Sequence, residues 1–239
     1  MKTYIFDVDG TLTPSRDKMD KDFKSFFMSW CKDHIVYLVT GSDREKTIEQ
    51  VGQDLYTEVN GVFNCAGNAF YIKNRLIYTR DLKLTDDQIT WLLDTLELSK
   101  TPYKTGTHIE FRLGMVNFST VGRNATREQR AAYVAYDEET NERFTIAQEF
   151  NEAFPELEAT VAGETGLDIY SRGYDKAQVI DELSGNVKDF VFFGDKICEN
   201  GNDLSLAQAI GRMGGAYHNV NSWEDTYDLL KIRKNNGTI

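Results

Sequence analysis

The sequence predicts an α/β fold whose core is a doubly wound parallel sheet, and three short strand-like runs carry this prediction. Each run is β-branched or aromatic, and each ends on small or acidic residues, as buried parallel strands do when their carboxyl ends carry function. The runs are residues 2–6 ending on Asp7, residues 35–39 ending on Thr40, and residues 190–193 ending on Gly194-Asp195.

Helical patterns lie between and after these runs. An apolar stripe at positions i, i+3, i+4, i+7 and i+8 begins at Phe23 and predicts a first helix. Asp43 is placed to cap a second helix, and Ser222 with Asp225 forms a capping-box pattern that opens a last one. Strands that alternate with helices in this way are typical of an α/β core.

The middle of the chain lacks this alternation. Two β-like runs, 107–111 and 115–119, surround Leu113-Gly114 and predict a hairpin, and Thr126 with Gln129 predicts a capped helix. Further candidates are a helix through Ile89, Leu92, Leu93 and Leu96, a helical stretch to about residue 153, and strands at 157–162 and 167–170. We therefore expect an α+β module at residues 83–172, inserted into a core made of residues 1–82 and 173–239.

The composition limits the function classes. The 239 residues carry a formal net charge of −11, which argues against binding to nucleic acid or to an anionic membrane surface. Three separated cysteines favour neither a disulfide framework nor a zinc site. The N-terminal residues form no long apolar segment, so the sequence predicts a cytoplasmic protein.

The most informative motif is Asp7-Val8-Asp9-Gly10-Thr11, which follows the first run. A carboxylate can attack phosphorus and form an aspartyl phosphate, which divides a difficult transfer into two easier steps. Such a step needs a divalent cation to offset charge and a nearby acid to protonate the leaving oxygen. Asp7 is therefore the candidate nucleophile, and Asp9 the candidate general acid and base.

Other strand ends supply suitable partners. The Thr40 hydroxyl can bind a phosphate oxygen, and Lys176, at the start of a helical segment, can balance the negative charge. Asp195 and Asp203, with Asn202 beside them, are hard oxygen ligands suited to Mg²⁺. Taken singly, Thr40 could be only a helix cap and Lys176 only a solvated lysine, but their order across an α/β core favours a site.

These motifs resemble the four motifs of the haloacid dehalogenase (HAD) superfamily. Within it, the chain is most similar to the eukaryotic-type phosphomannomutases, which have a type C2b cap, and the similarity runs nearly end to end. The matching strings are Asp7 to Arg16, Gly41-Ser42-Asp43, Ile109 to Asn117, Gly122-Arg123, Arg130, Gly173 to Lys176 and Phe192 to Lys196.

The resemblance implies a HAD-like core, an α+β cap that sets specificity, and a mutase that interconverts mannose 6-phosphate and mannose 1-phosphate. It implies catalysis by Asp7, Asp9 and Lys176, a hexose 1,6-bisphosphate activator, and Mg²⁺ held by Asp7, Asp9, Asp195 and Asp203. It also implies a homodimer formed through the cap and a role in GDP-mannose biosynthesis. The residues expected at the phosphohexose are Arg16, Thr40, Ser42, Arg112, Asn117, Arg123, Arg130 and Asp168.

Two positions depart from the family pattern. Gly166 stands where these mutases usually have serine, and Thr40 stands where they usually have glycine. Threonine at position 40 is common in phosphatases of the superfamily, so a sugar-phosphate phosphatase is the alternative function. A non-catalytic sugar-phosphate-binding protein is a third possibility, which the intact acidic motifs disfavour.

Overall fold

The computed structural model describes residues 2–199 and 201–235, which form two β-sheets with helices packed on them. In chain order, the strands are β1 Thr3–Phe6, β2 Ile35–Val39, β3 Gly61–Asn64, β4 Ala69–Ile72, β5 Arg75–Thr79, β6 Ile109–Arg112, β7 Met115–Phe118, β8 Leu157–Ala162, β9 Gly166–Ser171, β10 Phe190–Gly194 and β11 Ala216–Asn219. The α-helices are α1 Lys21–Cys31, α2 Arg44–Val51, α3 Gln53–Glu58, α4 Asp86–Leu98, α5 Arg127–Thr140, α6 Glu142–Ala153, α7 Leu204–Arg212 and α8 Trp223–Asn235.

The larger sheet has seven strands in the order β11-β10-β1-β2-β3-β4-β5. The first five are parallel, with Ile5 opposite Phe192 on one side and Tyr37 on the other. The α/β prediction is confirmed for this part. Strands β4 and β5 pair antiparallel at one edge, an extension that the sequence reading did not include.

Apolar side chains cover both faces of this sheet, as expected for a doubly wound fold, in which helices pack on both sides. Along β1, Tyr4 and Phe6 face a core built with α1, α3 and α8, whereas Ile5 faces a second core built with α7. Successive side chains of a strand point to opposite faces, so the two cores share one strand. Each fully buried aromatic ring contributes roughly 1.5–3 kcal/mol to folding.

The smaller sheet is antiparallel, with the order β6-β7-β9-β8. Helices α4 and α6 cover it through a core that includes Leu92, Phe150 and Ile169. The predicted hairpin is confirmed, with Gly114 in its turn at φ 70°. The sheet lies inside residues 83–172, while the two boundaries between core and inserted module stay predictions.

The smaller sheet packs over the carboxyl ends of the larger one. Met115 of β7 and Tyr170 of β9 share a small buried cluster with Cys65 and Ala66, which follow β3. Parallel strands end at this edge of the larger sheet, so side chains from both sheets face one space.

No helix within residues 2–199 and 201–235 has both the length and the hydrophobicity needed to cross a lipid bilayer.

Candidate active site

Asp7 lies at the carboxyl end of β1, in the middle of the parallel strands. Its backbone N–H donates to the carbonyl of Phe193 at 2.9 Å, so the ladder between β1 and β10 continues to this residue. The side chain is 4% exposed. The sequence motif thus places one carboxylate at the centre of the edge where the strands end.

Lys176 binds two carboxylates from two different parts of the chain. Its Nζ is 2.6 Å from Asp7 Oδ1 and 2.7 Å from Asp203 Oδ1, and all three side chains are buried. Burial opposes the charged form of an ammonium group, but these carboxylates outweigh it and raise the pKa of Lys176 above its ordinary value. Lys176 is therefore a fixed cation beside Asp7.

A group of three carboxylates surrounds this lysine. One oxygen from each of Asp7, Asp195 and Asp203 lies within 4.8 Å of the others, and Asp7 Oδ2 is buried without a hydrogen-bond partner. Burial raises the pKa of Asp7, and the charges of Asp203 and Asp195 add to this effect. Burial and Asp203 likewise raise the pKa of Asp195 to about 6. A hard divalent cation fits such a set, because it offsets negative charge that a single lysine leaves uncompensated.

The carboxylate of Asp9 lies outside that group and is held by other donors. Gln50 Nε2 and the backbone N–H of Arg16 donate to Asp9 Oδ1 at 2.9 and 2.6 Å, and Ser42 Oγ donates to Oδ2 at 3.3 Å. Arg16 adopts a left-handed conformation, φ 56°, to make its contact. Asp9 is thus fixed beside Asp7 by residues that the sequence places in three different segments.

Thr40 follows β2 and is 1% exposed. Its Oγ1 accepts a hydrogen bond from the backbone N–H of Ser42 at 3.0 Å, a turn contact that lies before α2, whose N-cap is Asp43. Both residues nevertheless line the cavity above Asp7. The interpretation of Thr40 as a helix cap is therefore wrong, because Asp43 caps α2, and Thr40 lies at the cavity.

Arginines from the smaller sheet and α5 line the opposite wall of this cavity. Arg112 donates to the carbonyl of Gly41 at 2.8 Å and pairs with Glu110. Arg123 Nε lies 2.9 Å from Glu110 Oε2 without hydrogen-bond geometry, and Arg130 pairs with Glu164 at 2.7 Å. Each of the three guanidinium groups therefore has a carboxylate beside it.

The cavity wall is crowded with positive charge. Burial, together with Arg112 and Arg16, lowers the pKa of Arg123 to about 10. Burial and Arg130 lower the pKa of Arg16 in the same direction. Cations that are buried close to one another gain from a dianionic ligand, so this wall is suited to a phosphate group.

Asn117 and Asp168 lie side by side on β7 and β9. Asn117 Nδ2 donates to Asp168 Oδ1 at 2.9 Å, and its Oδ1 accepts from Arg123 at 3.2 Å. Burial raises the pKa of Asp168, although Arg112 opposes this. The pair offers a carboxylate oxygen that can accept hydrogen bonds from sugar hydroxyls.

The cavity between these walls is narrow. Its volume is about 60 Å³, with Asp7, Asp9 and Asp195 on one side and the arginines on the other. Besides the Arg112–Gly41 contact, a β-bridge between Val161 and Gly201 joins the smaller sheet to the loop after β10. Drug-sized ligands occupy roughly 300–1,000 Å³, so a phosphohexose requires the two sheets to separate.

The residues predicted from the sequence come together in one place. Asp7, Asp9, Asp195 and Asn202 line the cavity with Arg16, Thr40, Ser42, Arg112, Asn117, Arg123, Arg130 and Asp168. Lys176 and Asp203 lie buried beneath them.

Sequence reasoning missed three residues of this site. Gln50 is 2% exposed although it lies on a polar helix, and Glu110 and Glu164 neutralise the arginines. The two glutamates had a local signal, since Glu110 lies two residues before Arg112 and Glu164 two before Gly166. Gln50 had none, because its contact with Asp9 joins residues that are 41 positions apart.

Comparison with known proteins agrees with this geometry. Residues 23–234 match the family described as eukaryotic phosphomannomutase. A protein from Triticum aestivum named phosphomannomutase is 34% identical over 235 residues, which cover 95% of this chain and 93% of the relative. The chain belongs to the eukaryotic phosphomannomutase family.

Solved structures confirm the fold class that the sequence predicted for this family member. A haloacid dehalogenase-like hydrolase from Bacteroides thetaiotaomicron superposes with a TM-score of 0.61 at 12% identity, covering 97% of this chain and 98% of that one. An IMP-bound IMP-nucleotidase from Plasmodium falciparum gives a TM-score of 0.63 at 16% identity, with 97% and 67% covered. The phosphomannomutase chain therefore has a HAD-like fold.

Proposed function

We propose that this chain is a phosphomannomutase that interconverts mannose 6-phosphate and mannose 1-phosphate through a phosphorylated Asp7. One observation carries the proposal. Asp7, whose Oδ2 has no hydrogen-bond partner, lies on one wall of a cavity that four arginines also line. A sugar with phosphates at both ends needs a reacting group at one end and cations at the other. Membership in the phosphomannomutase family supports the choice of sugar.

Asp7 and Asp9 divide the reaction between them. Lys176 occupies Oδ1 of Asp7, so Oδ2 is the atom that attacks the phosphorus of a hexose 1,6-bisphosphate. A bond forms between Oδ2 and phosphorus, the bond from phosphorus to the sugar oxygen breaks, and Asp9 gives that oxygen a proton. In the next transfer Asp9 takes the proton from the accepting hydroxyl of a hexose monophosphate. The hydroxyl oxygen bonds to phosphorus, and the bond from phosphorus to Asp7 Oδ2 breaks. The bisphosphate formed in this transfer must exchange its ends before its other phosphate returns to Asp7.

The acidic group fits Mg²⁺, for which we propose Asp7, Asp195 and Asp203 as ligands. One carboxylate oxygen from each of the three lies within 4.8 Å of the others. When bound there, Mg²⁺ offsets the charge between the carboxylates and the phosphate oxygens. Asp9 stays a predicted ligand, although its carboxylate is occupied by Gln50, Arg16 and Ser42.

The arginine wall binds the second phosphate in this proposal. Arg123 and Arg130 receive it, with Arg16 and Arg112 beside them, because guanidinium groups bind oxyanions through two parallel hydrogen bonds. Glu110 and Glu164 hold these arginines until the phosphate displaces them. Asn117 and Asp168 contact the phosphate or the sugar hydroxyls.

We also infer that residues 83–172 act as a cap over a core of residues 1–82 and 173–239. Contacts from Arg112 to Gly41 and from Val161 to Gly201 support a closed arrangement, which keeps water from the aspartyl phosphate. A homodimer through the cap is supported by edge strand β6, where Phe111 is 59% exposed. The cytoplasmic location and the role in GDP-mannose biosynthesis stay predictions.

A coupled assay tests the proposed activity. Mannose 1-phosphate with a catalytic amount of glucose 1,6-bisphosphate and Mg²⁺ should yield mannose 6-phosphate without an equal release of inorganic phosphate. Asp7→Asn should abolish turnover and keep the circular dichroism spectrum of the parent. Free phosphate without mannose 6-phosphate contradicts the mutase, and an unchanged rate in Asp7→Asn contradicts the nucleophile.

A phosphatase of the same superfamily is the second candidate, and the buried Thr40 hydroxyl in the cavity favours it. Water rather than a sugar hydroxyl then completes the second transfer. The assay separates the two functions, since only a phosphatase consumes the bisphosphate to inorganic phosphate and sugar.

A further inference from the structure

A second cavity adjoins the arginine wall on its outer side. It has a volume of about 690 Å³ and shares Arg16, Arg123, Arg130 and Glu164 with the inner cavity. Lys46 and Arg127 line the outer cavity but not the inner one. Three arginines therefore line both a narrow space above Asp7 and a larger space beside it.

The lining of the outer cavity is basic, although the whole chain carries a net charge of −11. Five of its described lining residues are lysine or arginine, and two are carboxylates, Asp17 and Glu164. Such a local reversal of charge concentrates anions at one place on an otherwise repulsive surface. The expected occupant is a small anion of high charge rather than a nucleic acid, which the net charge disfavours.

We propose that Lys46 and Arg127 form an outer phosphate site, which holds one end of a hexose bisphosphate while its two ends exchange places. This inference rests on the proposed mutase function. The inner cavity of about 60 Å³ leaves no space for the intermediate to turn, whereas about 690 Å³ lies within the usual range for a ligand of that size. A phosphate that leaves the inner cavity passes the shared arginines before it reaches solvent.

The two outer cations are available for this purpose. The side chain of Arg127 is 88% exposed and lies 3.4 Å from Asp17, while Lys46 pairs with Glu49 on its own helix at 3.1 Å. Ion pairs of this exposed kind contribute little, so a dianionic phosphate can replace them. Arg127 and Arg130 are three residues apart on α5 and thus lie on the same face of that helix.

The outer site has a clear consequence for the intermediate. A bisphosphate held there returns to the inner cavity more often than it diffuses away. Loss of the site should therefore raise both the release of free bisphosphate and the concentration of added bisphosphate that activity requires. The transfer from a saturating bisphosphate to Asp7 should not change, since Lys46 and Arg127 do not touch the reacting atoms.

Binding to an Asp7→Asn background tests the site without any turnover. In titration calorimetry with glucose 1,6-bisphosphate, adding Lys46→Ala and Arg127→Ala together should weaken binding about tenfold. Asp17→Asn, which frees Arg127, should tighten binding about twofold to threefold. Arg75→Ala removes one positive charge on strand β5, outside both cavities, and serves as the control for a loss of surface charge, with unchanged affinity.

The wild-type background gives the second readout. The Lys46→Ala, Arg127→Ala variant should need about ten times more bisphosphate for half-maximal activity, while the rate of Asp7 phosphorylation at saturation stays within about twofold. Unchanged affinity in the double variant, or an equal loss in Arg75→Ala, overturns the outer site. Wild-type enzyme that releases only inorganic phosphate overturns the mutase function instead. The calorimetric measurement involves no turnover, so it tests the outer site separately.

Discussion

At the scale of single residues, Gln50 holds the proposed acid and base in position. Its Nε2 donates to Asp9 Oδ1 at 2.9 Å and to Thr13 Oγ1 at 3.2 Å, whereas its own Oε1 is buried without a partner. A buried, unsatisfied carbonyl costs about 1–3 kcal/mol of stability. A side chain that lowers stability while it contacts Asp9 is expected to serve the position of Asp9 rather than the fold.

Replacing Gln50 with leucine should therefore lower activity more than stability. We expect kcat to fall about tenfold to a hundredfold, because Asp9 loses one of its three donors and can rotate away from the sugar oxygen. KM should change by less than about threefold, since Gln50 does not line the arginine wall. Steady-state kinetics and urea denaturation measure the two effects.

Gln88→Leu is the matched control, because Gln88 is a buried glutamine of the capping box at the start of α4. It should lose about 1 kcal/mol of unfolding free energy and keep its kcat. If Gln50→Leu shows the same pattern as this control, Gln50 is a structural residue and the positioning role is wrong.

At the scale of elements, helix α5 carries two of the cavity arginines in its first turns, Arg127 of the outer cavity and Arg130 of both. Thr126 caps it, accepting from the backbone N–H of Gln129 at 3.3 Å, while the Gln129 side chain accepts from the backbone of Thr126 at 2.9 Å. This is the capping box that the sequence predicts. The other predicted box, at α8, does not have its reciprocal contact, since Asp225 accepts from Asn221 instead of Ser222.

Thr126→Ala should consequently be more destabilising than Ser222→Ala. Loss of a threonine cap costs about 1 kcal/mol, whereas a serine outside a formed box should cost less than about 0.5 kcal/mol. Urea denaturation measures both values. Equal losses in the two variants contradict this difference between the caps.

The sequence predicted the site residues where a buried strand ended on polar residues. Asp7, Thr40 and Asp195 follow buried runs of strong β-propensity, so their shared location follows from parallel strand order. Strands β4 and β5 were not predicted: β4 is buried but only four residues long, and β5 is an exposed antiparallel edge in which Leu76 and Ile77 are 44% and 48% exposed. Without burial, the hydrophobic pattern there has no fixed period.

The closure of the site could not be predicted from local patterns. Arg112 donates a hydrogen bond to Gly41, which is 71 positions away in the sequence. Val161 of the smaller sheet forms a β-bridge with Gly201, in the loop after β10 of the larger sheet. Contacts of this kind depend on how two folded parts pack, and neither residue carries a local signal for its partner. The acidic group of Asp7, Asp195 and Asp203, by contrast, was predicted from the residues that follow strand ends. It makes the stability of the molecule depend on pH.

At the scale of the whole molecule, the acidic group makes stability depend on pH and on Mg²⁺. The folded-state pKa of Asp195 is raised to about 6, above its ordinary value of 3.8, chiefly by burial and by Asp203. A carboxyl group whose pKa is raised on folding stabilises the protein below its unfolded pKa, and this contribution is lost as pH rises through the folded pKa. Without metal, Asp195 therefore has little effect on stability near pH 4 and destabilises the folded state near pH 7.

Asp195→Asn isolates this effect. In EDTA at pH 7 the variant should be more stable than wild type by up to about 3 kcal/mol, and the difference should disappear as pH falls from 6 to 4. Mg²⁺ should reverse the order at pH 7, because it stabilises wild type by binding the folded state, while the variant lacks one ligand. Thermal unfolding across this pH range, with Mg²⁺ and with EDTA, measures the difference. A wild-type protein that is as stable as the variant at pH 7 in EDTA contradicts the account, since the three carboxylates then do not repel one another and need no cation.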